Sequence, residues 1–315
     1  MPIDFSLLDV QLAPIPRTSD DVGYLREHVR EFISRVDAQE ELATQRVLPL
    51  PFGTWNVACH LQPADLVLKL SPWGSRHEAD FLQAATATGA AVPRFITYGV
   101  VPDDVLPGAS YVLMEYIERS VAAGPLFERG ALTAPQLLAM GTDAGATLAR
   151  IHAVAFPYVR SFDTPQPDWG ACLGLWELAE TPLFDRALLA RFEHALSDCG
   201  YRERTHGTLA HSDASPHNIL VDEDSHAFRA LIDPGPEIVS SPMYDLAYAA
   251  QPWIYGGAYL ERVVAGYQAA GGTLHARDFA ISLLCVAYRQ SQWGGAARGD
   301  VRAYLEQDVL PLLDA

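Results

Sequence analysis

The sequence predicts an α+β fold with two lobes, in which a small antiparallel sheet comes first and a larger, mainly helical lobe follows. Three observations support this prediction. Short apolar runs typical of strands occur between residues 47 and 117, and apolar residues at helical spacing dominate from residue 133 onward. A length of 315 residues is enough for two lobes.

The composition limits the classes of partner that the protein can have. A formal net charge of -17 argues against nucleic acid, which requires a basic surface, and it suits a cationic substrate or simply solubility. No apolar run approaches the length of a membrane span, and residues Met1–Asp4 lack the features of a signal peptide. The four cysteines have no metal or redox spacing. We therefore expect a cytoplasmic monomer or homodimer with buried reduced thiols and no membrane partner.

The first predicted element is a helix over residues 18–36. Ser19 is a suitable N-cap, and two acids follow it in the first turn. The apolar residues recur at the spacing of an amphipathic helix, and we expect this face to pack on the first lobe. These residues are Val22, Leu25, Val29, Phe32, Ile33 and Val36.

Residues 47–70 predict two or three strands, with the segment 49–56 between two of them. A simple hairpin turn explains this segment, since it contains only one glycine. The alternative is a loop that contacts phosphate, because a strand with an unusual lysine follows it. In that case Gly53, Thr54 and Asn56 would supply backbone and side-chain groups.

Lys69 is the only lysine in the chain, and every other strong base is an arginine. It lies in the apolar run Asp65–Leu70, which is typical of a strand. An ammonium and a guanidinium are not interchangeable, so this choice indicates a site that needs a compact ammonium. Glu78, on the predicted helix that follows, is its expected partner. The alternative is a lysine that extends to solvent from an edge strand.

Further strands and helices complete the predicted order. Strands are expected at 93–98 and 110–117. Thr133 and Gln136 form a capping-box pattern at the start of a helix that runs to residue 155. Later helices are predicted over 244–252, 255–270, 277–293 and 301–313.

The segment 156–199 is the least regular part of the chain, and acidic helices are expected in its second half. Its acids can dock substrate amines, whereas its aromatic residues, including Phe162, suit a ring-stacking substrate. A solvated acidic face explains the acids equally well. The candidate substrate residues are Asp163, Asp168, Trp169, Trp176, Glu177 and Glu180.

The stretch from His211 to Asp233 contains the strongest chemical pattern. Asp213 is followed five residues later by Asn218, and two short apolar runs then lead to Asp233. The apolar runs predict a β-hairpin that brings Asn218 and Asp233 to neighbouring strand ends. Such a set can take up a hydroxyl proton and hold magnesium ions on nucleotide phosphates. A metal-hydrolase site is the alternative, because His211, Asp213, His217 and Asp233 can all bind metals.

This stretch resembles the motif of the aminoglycoside phosphotransferase family, small-molecule kinases with a protein-kinase-like fold. The family pattern is H-G-D-x-x-x-x-N, then I-D, then Y-D-L-A, and the last segment is present here as Tyr244–Ala247. Ser212 stands where the family has glycine. Pro-Gly-Pro follows Asp233 where the family often has tryptophan and a second acid.

The resemblance implies an ATP-dependent phosphotransferase that modifies a hydroxyl of a small molecule, and an antibiotic is the expected substrate class. Asp213 would orient or deprotonate the hydroxyl, while Asn218 and Asp233 would hold Mg²⁺. Lys69, paired with Glu78, would hold the α- and β-phosphates. Such an enzyme would provide antibiotic resistance or self-protection.

The resemblance also implies the organisation of the chain. It predicts a nucleotide-binding lobe over 1–114, a hinge over 115–117, and a catalytic and substrate-binding lobe over 118–315. Met114 would border the adenine pocket, and the backbone of Glu115 and Ile117 would bind the base edge. Asp245 would be a structural acid that ties the catalytic loop.

Several alternatives stay open at this point. The antibiotic could be an aminoglycoside, a nucleoside, a peptide or a macrolide, and the nucleotide could be GTP instead of ATP. The substrate could also be a primary metabolite such as an amino alcohol or a sugar. A nucleotide-binding pseudokinase without turnover and a His/Asp metal hydrolase are the alternatives of other classes.

Overall fold

The structure is a computed structural model that describes residues 29–40, 46–50, 56–72, 74–101, 108–292 and 301–313. The chain divides into two compact units. The first comprises the described residues up to Gln83 together with Pro93–Glu118, and the second comprises Ala84–Val92 and the described residues from Arg119 onward. The division at 118/119 is close to the predicted hinge at 115–117. The assignment of Ala84–Val92 to the second unit has no counterpart in the prediction.

A five-stranded antiparallel sheet forms the centre of the first unit. Its strands are Arg46–Pro49 (β1), Val57–Gln62 (β2), Leu66–Ser71 (β3), Phe95–Val100 (β4) and Ser110–Glu115 (β5). Their order in the sheet is β1-β2-β3-β5-β4, and β3 pairs with β2 on one side and β5 on the other. Because β3 is an interior strand, the alternative of an edge-strand lysine does not apply to Lys69.

Two helices belong to the first part of the chain, Val29–Glu40 (α1) and Arg76–Ala87 (α2). The α1 residues Phe32, Ile33 and Val36 are buried in one apolar cluster with residues of the sheet. The predicted packing of this helix on the first unit is therefore confirmed. The predicted helix start at residue 18 lies outside the described residues, and the described helix extends four residues beyond Val36.

The second unit is mainly helical, as the sequence predicts. Its α-helices are Ala123–Glu128 (α3), Ala134–His152 (α4), Trp169–Cys172 (α5), Arg186–Asp198 (α6), Pro242–Ala250 (α7), Pro252–Tyr255 (α8), Gly257–Ala269 (α9), Ala276–Gln292 (α10) and Val301–Tyr304 (α11). The capping box of Thr133 and Gln136 opens α4. Among the helices that the structure describes, none combines the length and the hydrophobicity that a membrane crossing requires.

Short strands complete the second unit. They are Ser120–Ala122 (β6), Ala155–Phe156 (β7), Val159–Ser161 (β8), Thr164–Gln166 (β9), Gly207–Leu209 (β10), Ile219–Asp222 (β11), Phe228–Leu231 (β12) and Val239–Ser240 (β13). Strands β11 and β12 form the predicted hairpin, in which Ile219 pairs with Leu231. A second sheet has the order β7-β10-β13-β8-β9.

The cysteines are structural. All four are free thiols, and Cys59, Cys172 and Cys285 are buried. Burial raises the pKa of the Cys59 and Cys172 thiols to about 12, so both are protonated at neutral pH. Protonated, buried thiols are poor nucleophiles and poor metal ligands. The expectation of buried reduced thiols is therefore confirmed for these residues.

Candidate active site

Asp245 fixes the loop that carries the predicted catalytic acid. Its carboxylate accepts hydrogen bonds from two consecutive backbone amides, of His211 at 2.6 Å and of Ser212 at 2.9 Å. Asp245 is fully buried on α7. A buried carboxylate that accepts two amides sets the conformation of both residues. The structure therefore places Asp245 as the acid that ties this loop, as the resemblance implies.

A second layer of hydrogen bonds orients Asp245. His152, the last residue of α4, lies with Nε2 3.0 Å from the Asp245 carboxylate and with Nδ1 3.0 Å from the hydroxyl of Tyr267 on α9. In the tautomer with the proton on Nε2, that nitrogen donates to the carboxylate and Nδ1 accepts from the Tyr267 hydroxyl. His152 is thus a structural residue, in agreement with the prediction.

Asp213 follows this loop and has the electrostatic properties of a reactive acid. Burial is the main cause that raises its pKa to about 8, and the nearby charge of Asp233 raises it further. The neighbouring polar side chains of Asn218 and Tyr248 oppose this rise in pKa. A carboxylate whose pKa lies near neutrality can take up a proton during turnover.

Asn218 and Asp233 lie at neighbouring ends of the β11–β12 hairpin. The amide of Ile232 donates to the carbonyl of Asn218 at 2.9 Å, which fixes the two ends side by side. The Asn218 side-chain NH₂ donates to the backbone carbonyl of Asp213 at 2.9 Å, a bond that does not use its amide oxygen. The three predicted residues therefore come together within one unit.

The chemistry of this donor set fits a magnesium ion. Mg²⁺ prefers carboxylate and carbonyl oxygens, and it usually takes only one or two carboxylates from the protein. After burial, the charge of Asp233 is the next cause that raises the pKa of Asp213, so the two carboxylates repel each other. A divalent cation at this point would offset that repulsion.

Gly235 allows the two loops of the site to approach each other closely. Its amide donates to the carbonyl of His211 at 2.8 Å. A Cβ atom at this position would lie 2.6 Å from the Ser212 hydroxyl oxygen and 3.4 Å from the Asp213 Cβ. Any other residue here would displace the loop of Asp213, which explains why a glycine follows Asp233 at the second position.

Gly124 on α3 packs directly against the loop of Asn218. A Cβ atom at Gly124 would lie 2.3 Å from the His217 Nδ1 and 2.8 Å from the His217 Cα. We expect Gly124→Ala to move His217 and Asn218 and to lower the free energy of unfolding by roughly 1–3 kcal/mol. Because Asn218 is a proposed magnesium ligand, the magnesium concentration needed for half-maximal activity should rise. Chemical unfolding and a magnesium titration of activity measure both effects.

Gly257→Ala is the matched control for this prediction. Gly257 opens α9, and a Cβ atom there would have no other atom within 4 Å. The control should therefore retain the stability and the magnesium response of the parent protein. If Gly124→Ala behaves like this control, the tight contact with His217 has no role in holding Asn218.

Lys69 and Glu78 form a buried ion pair in the first unit. The Lys69 Nζ lies 2.7 Å from the Glu78 Oε2, and the two side chains are 10% and 4% exposed. Lys69 lies opposite Ala58 and Val112 on the strands that flank β3. The predicted pairing of the single lysine with the acid on α2 is therefore confirmed.

The other predicted nucleotide contacts lie partly outside the described residues. Gly53 and Thr54 are not among the described residues, and Asn56 directly precedes β2. Met114 is buried in β5, and Glu115 ends that strand. The Glu115 amide donates to the carbonyl of Arg94 at 2.9 Å, which leaves its carbonyl as the proposed contact. The roles of Met114, Glu115 and Ile117 stay predictions.

The six candidate substrate residues have different environments. Trp169 is buried, and its indole N–H donates to the carbonyl of His206 at 2.8 Å, so we treat it as a core residue. Asp168 caps α5 and accepts the indole N–H of Trp176 at 2.8 Å. Asp163 pairs with Arg160 at 3.2 Å.

The remaining candidates, Glu177 and Glu180, are exposed, and they lie in a segment without helix. Of the acidic helices expected in this part of the chain, the described residues contain only α6. Leu173 and Leu175, just before these acids, are buried two positions apart, which differs from the i, i+3, i+4 spacing of a helix face.

Tyr248 is a site residue that the sequence patterns did not single out. Its hydroxyl is a neighbour of the Asp213 carboxyl group and lowers the pKa of that acid, against the larger effect of burial. Tyr248 is three residues after Asp245 on α7, so both side chains project from one face of the same helix. The three-residue spacing of Asp245 and Tyr248 can be read from the sequence. It predicts that the helix face that holds the His211–Ser212 backbone also carries a side chain near Asp213.

Comparisons with known proteins agree with this geometry. The family model of the phosphotransferase enzyme family (APH) matches residues 47–280. The GDP complex of wild-type aminoglycoside 2′-phosphotransferase-IIIa is similar with a TM-score of 0.57 and 18% identity, covering 90% of this chain and 96% of that chain. No curated protein sequence matches the chain.

Two further solved structures show the same similarity. A thermostable mutant of aminoglycoside phosphotransferase APH(4)-Ia, in a ternary complex with AMP-PNP and hygromycin B, has a TM-score of 0.54 and 15% identity, covering 90% of this chain and 98% of that chain. APH(3″)-Id from Streptomyces rimosus has a TM-score of 0.51 and 16% identity, covering 82% of this chain and 98% of that chain. At such low identities these likenesses show the fold, which is of the kinase-like type that the sequence predicts.

Proposed function

The chain belongs to the phosphotransferase enzyme family, and we propose that it transfers the γ-phosphoryl group of ATP to a hydroxyl of a small molecule, with an antibiotic as the first substrate class to test. The observation that carries this proposal is the arrangement of Asp213, Asn218 and Asp233 around one hairpin end. GTP is the alternative donor, because the similar solved structures include both a GDP and an AMP-PNP complex.

The proposed reaction assigns one task to each residue of the hairpin site. Asp213 orients the acceptor hydroxyl and receives its proton as the hydroxyl oxygen bonds to the γ-phosphorus. The bond from that phosphorus to the β–γ bridging oxygen breaks, and the nucleoside diphosphate leaves. Asn218 holds the backbone of Asp213 through the hydrogen bond to its carbonyl at 2.9 Å, and Tyr248 lies beside the acid. Such catalysis depends mainly on positioning and on charge neutralisation.

Asn218 and Asp233 are the proposed magnesium ligands, and Lys69 is the proposed contact to the α- and β-phosphates. A bound magnesium ion supplies neutralisation of the phosphate charge. The ammonium of Lys69 has the compact charge that phosphate oxygens require, and Glu78 holds it in place at 2.7 Å.

The functions of other classes have less support. A metal hydrolase needs a cluster of His, Cys, Asp or Glu ligands, and no group of three or more occurs among the residues that the structure describes. A pseudokinase would lack one of the reactive groups, whereas Asp213, Asn218, Asp233 and Lys69 are all in place. A kinase of a primary metabolite uses the same site, so only substrate tests separate it from an antibiotic kinase.

A product assay tests the proposal. The protein is incubated with Mg-ATP and, separately, kanamycin, hygromycin B, erythromycin, puromycin, choline or glucose, and nucleotides and acceptors are analysed by mass spectrometry. We expect one acceptor to gain a phosphoryl group in a 1:1 ratio with ADP, and we expect Asp233→Asn to abolish both products. Nucleotide binding with no ADP formed would favour the pseudokinase. Phosphate release from an ester without any ADP would favour the hydrolase.

A further inference from the structure

The hairpin of β8 and β9 has a phenylalanine in an unusual backbone conformation. Ser161 pairs with Thr164, so its loop contains only Phe162 and Asp163. Phe162 has a φ of 50°, in the left-handed region that bulky residues rarely adopt. Glycine, asparagine or aspartate normally supplies a positive φ at the first central position of a two-residue hairpin loop. The loop therefore retains a large aromatic ring at a position where its backbone is strained.

The backbone of Phe162 is held on both sides. Its amide donates to the carbonyl of Pro236 at 2.7 Å, and its carbonyl accepts from the Arg160 Nε at 2.9 Å. Arg160 also pairs with Asp163 at 3.2 Å. Because Pro236 and Arg160 lie outside the two-residue loop, these bonds fix the left-handed backbone conformation of Phe162 from outside it. The backbone that carries the ring is therefore held in place.

The partner loop is that of the catalytic acid. Pro236 directly follows Gly235, whose amide bonds to the His211 carbonyl and whose Cβ position lies 3.4 Å from the Asp213 Cβ. Since consecutive Cα atoms are about 3.8 Å apart, the tip of the hairpin is tied to the chain roughly two residue lengths from Asp213. Phe162 thus belongs to the immediate neighbourhood of the proposed acceptor site.

The ring itself contributes little to the core, because Phe162 is 55% exposed. A strained and exposed aromatic residue destabilises the fold, and such residues cluster at ligand sites. Trp176 is a second aromatic residue of this region, 47% exposed, and α5 beside it packs against β8 and β9. Two nearby acids are already engaged, Asp163 with Arg160 and Asp168 with the Trp176 indole.

We propose that Phe162 is a specificity-determining contact of the acceptor site and that its ring packs on an apolar or aromatic face of the substrate. The acceptor class is then a hydroxyl compound with such a face, in contrast to a purely polycationic sugar. This inference rests on the proposed phosphotransferase function. Asp163 is paired with Arg160 and Asp168 with the Trp176 indole, which leaves Glu177 and Glu180 as the candidate acids for the amines of a polycation.

The test compares two kinds of acceptor in the same enzyme. Erythromycin and puromycin offer an apolar or aromatic face together with hydroxyls, and kanamycin offers hydroxyls and amines without such a face. We expect a higher kcat/KM for at least one of the first two than for kanamycin. The specificity ratio is kcat/KM for the better of the two apolar acceptors divided by kcat/KM for kanamycin. Phe162→Gly should lower this ratio by roughly tenfold or more, because ring contact is lost. Phe162→Tyr keeps an aromatic ring and should keep the ratio of the parent protein.

The stability of the same variants separates contact from folding. Glycine relieves the positive φ, so Phe162→Gly should unfold at a temperature no lower than that of the parent protein. Leu312→Ala is the matched control, since Leu312 is an apolar residue that is 50% exposed near the end of the chain. It should leave the ratio of kcat/KM values unchanged.

The remaining outcomes contradict either the role of Phe162 or the function on which that role rests. Preference for kanamycin, or a ratio that Phe162→Gly does not change, overturns the inference. The inference is also overturned by a protein that hydrolyses Mg-ATP but phosphorylates neither apolar acceptor. In that case Asp233→Asn should abolish the ATP hydrolysis, which shows that the hydrolysis comes from this site. Absence of both acceptor phosphorylation and ATP hydrolysis counts against the proposed function itself, and the inference falls with it.

Discussion

Asp213→Asn is expected to lower turnover by roughly 10²–10⁴-fold, the usual contribution of a general base, while the protein stays folded and still binds Mg-ATP. The loop of Asp213 is held by Asp245 through the amides of His211 and Ser212, and none of these bonds uses the Asp213 side chain. Asn218 and Asp233 are untouched by the change. Steady-state kinetics and a nucleotide titration measure the two properties separately.

The structure also predicts the effect of this change on stability. Burial and the charge of Asp233 make an ionised carboxylate at Asp213 unfavourable, which is why its pKa is raised to about 8. Asparagine has nearly the same size and carries no charge. The variant should therefore unfold at a temperature no lower than that of the parent, so that loss of activity cannot be attributed to loss of fold.

Asp224→Asn provides the matched control, because it makes the same substitution at an exposed acid eleven residues further along the chain. Asp224 lies in the turn between β11 and β12, where its side chain is 71% exposed and pairs with Arg119. Exposed pairs of this kind contribute little to stability. Turnover should match that of the parent. Near-normal turnover in Asp213→Asn itself would show that another group receives the proton.

The parts of the site that the sequence predicts are those set by local structure. The β11–β12 hairpin follows from two short apolar runs and a polar turn, and its register brings Asn218 next to Ile232. The position of Lys69 follows in the same way, since an apolar strand and the next helix are close in sequence. Short-range patterns suffice because each of these elements is determined by neighbouring residues.

The parts that the sequence does not predict depend on contacts between distant residues. Trp169 and Trp176 look alike in the sequence, yet one is 5% exposed and the other 47%. Burial of Trp169 depends on Tyr201, whose ring lies 4.9 Å away and edge-on to it. No local pattern contains that contact. Asp168 makes one contact of each kind. Its role as the N-cap of α5 is predictable from its position before that helix, but its hydrogen bond from the Trp176 indole is not.

The conformation of Phe162 is a stronger example of the same limit. Sequence patterns at hairpin loops identify glycine, asparagine or aspartate as the residue with a positive φ, and here Asp163 is the obvious choice. The structure gives the positive φ to Phe162. The reason lies in the hydrogen bond to Pro236, which is 74 residues further along the chain. A departure from local preference that is imposed by a distant loop marks a functional position.

Lys69→Arg is expected to lower kcat/KM for ATP by at least about tenfold, which corresponds to about 1.4 kcal/mol, even though the positive charge is kept. The Lys69 and Glu78 side chains are only 10% and 4% exposed. Lys69 also lies on the central strand of the sheet, so the larger guanidinium has little room. A planar fork cannot place a compact charge where the ammonium stands. Initial rates over a range of ATP concentrations measure the effect, and thermal unfolding reports any change in stability.

Arg76→Lys is the reciprocal control, on the helix α2 that carries Glu78. Arg76 pairs with Asp80 four residues later, at 2.9 Å, and its side chain is 58% exposed. Because an exposed pair of this kind tolerates either base, the control should change neither stability nor nucleotide kinetics. It also gives the protein a second lysine, so it separates the position of the ammonium from its mere presence. ATP kinetics for Lys69→Arg within a few-fold of the parent, with a normal unfolding temperature, would show that the single lysine of the chain is incidental to nucleotide use.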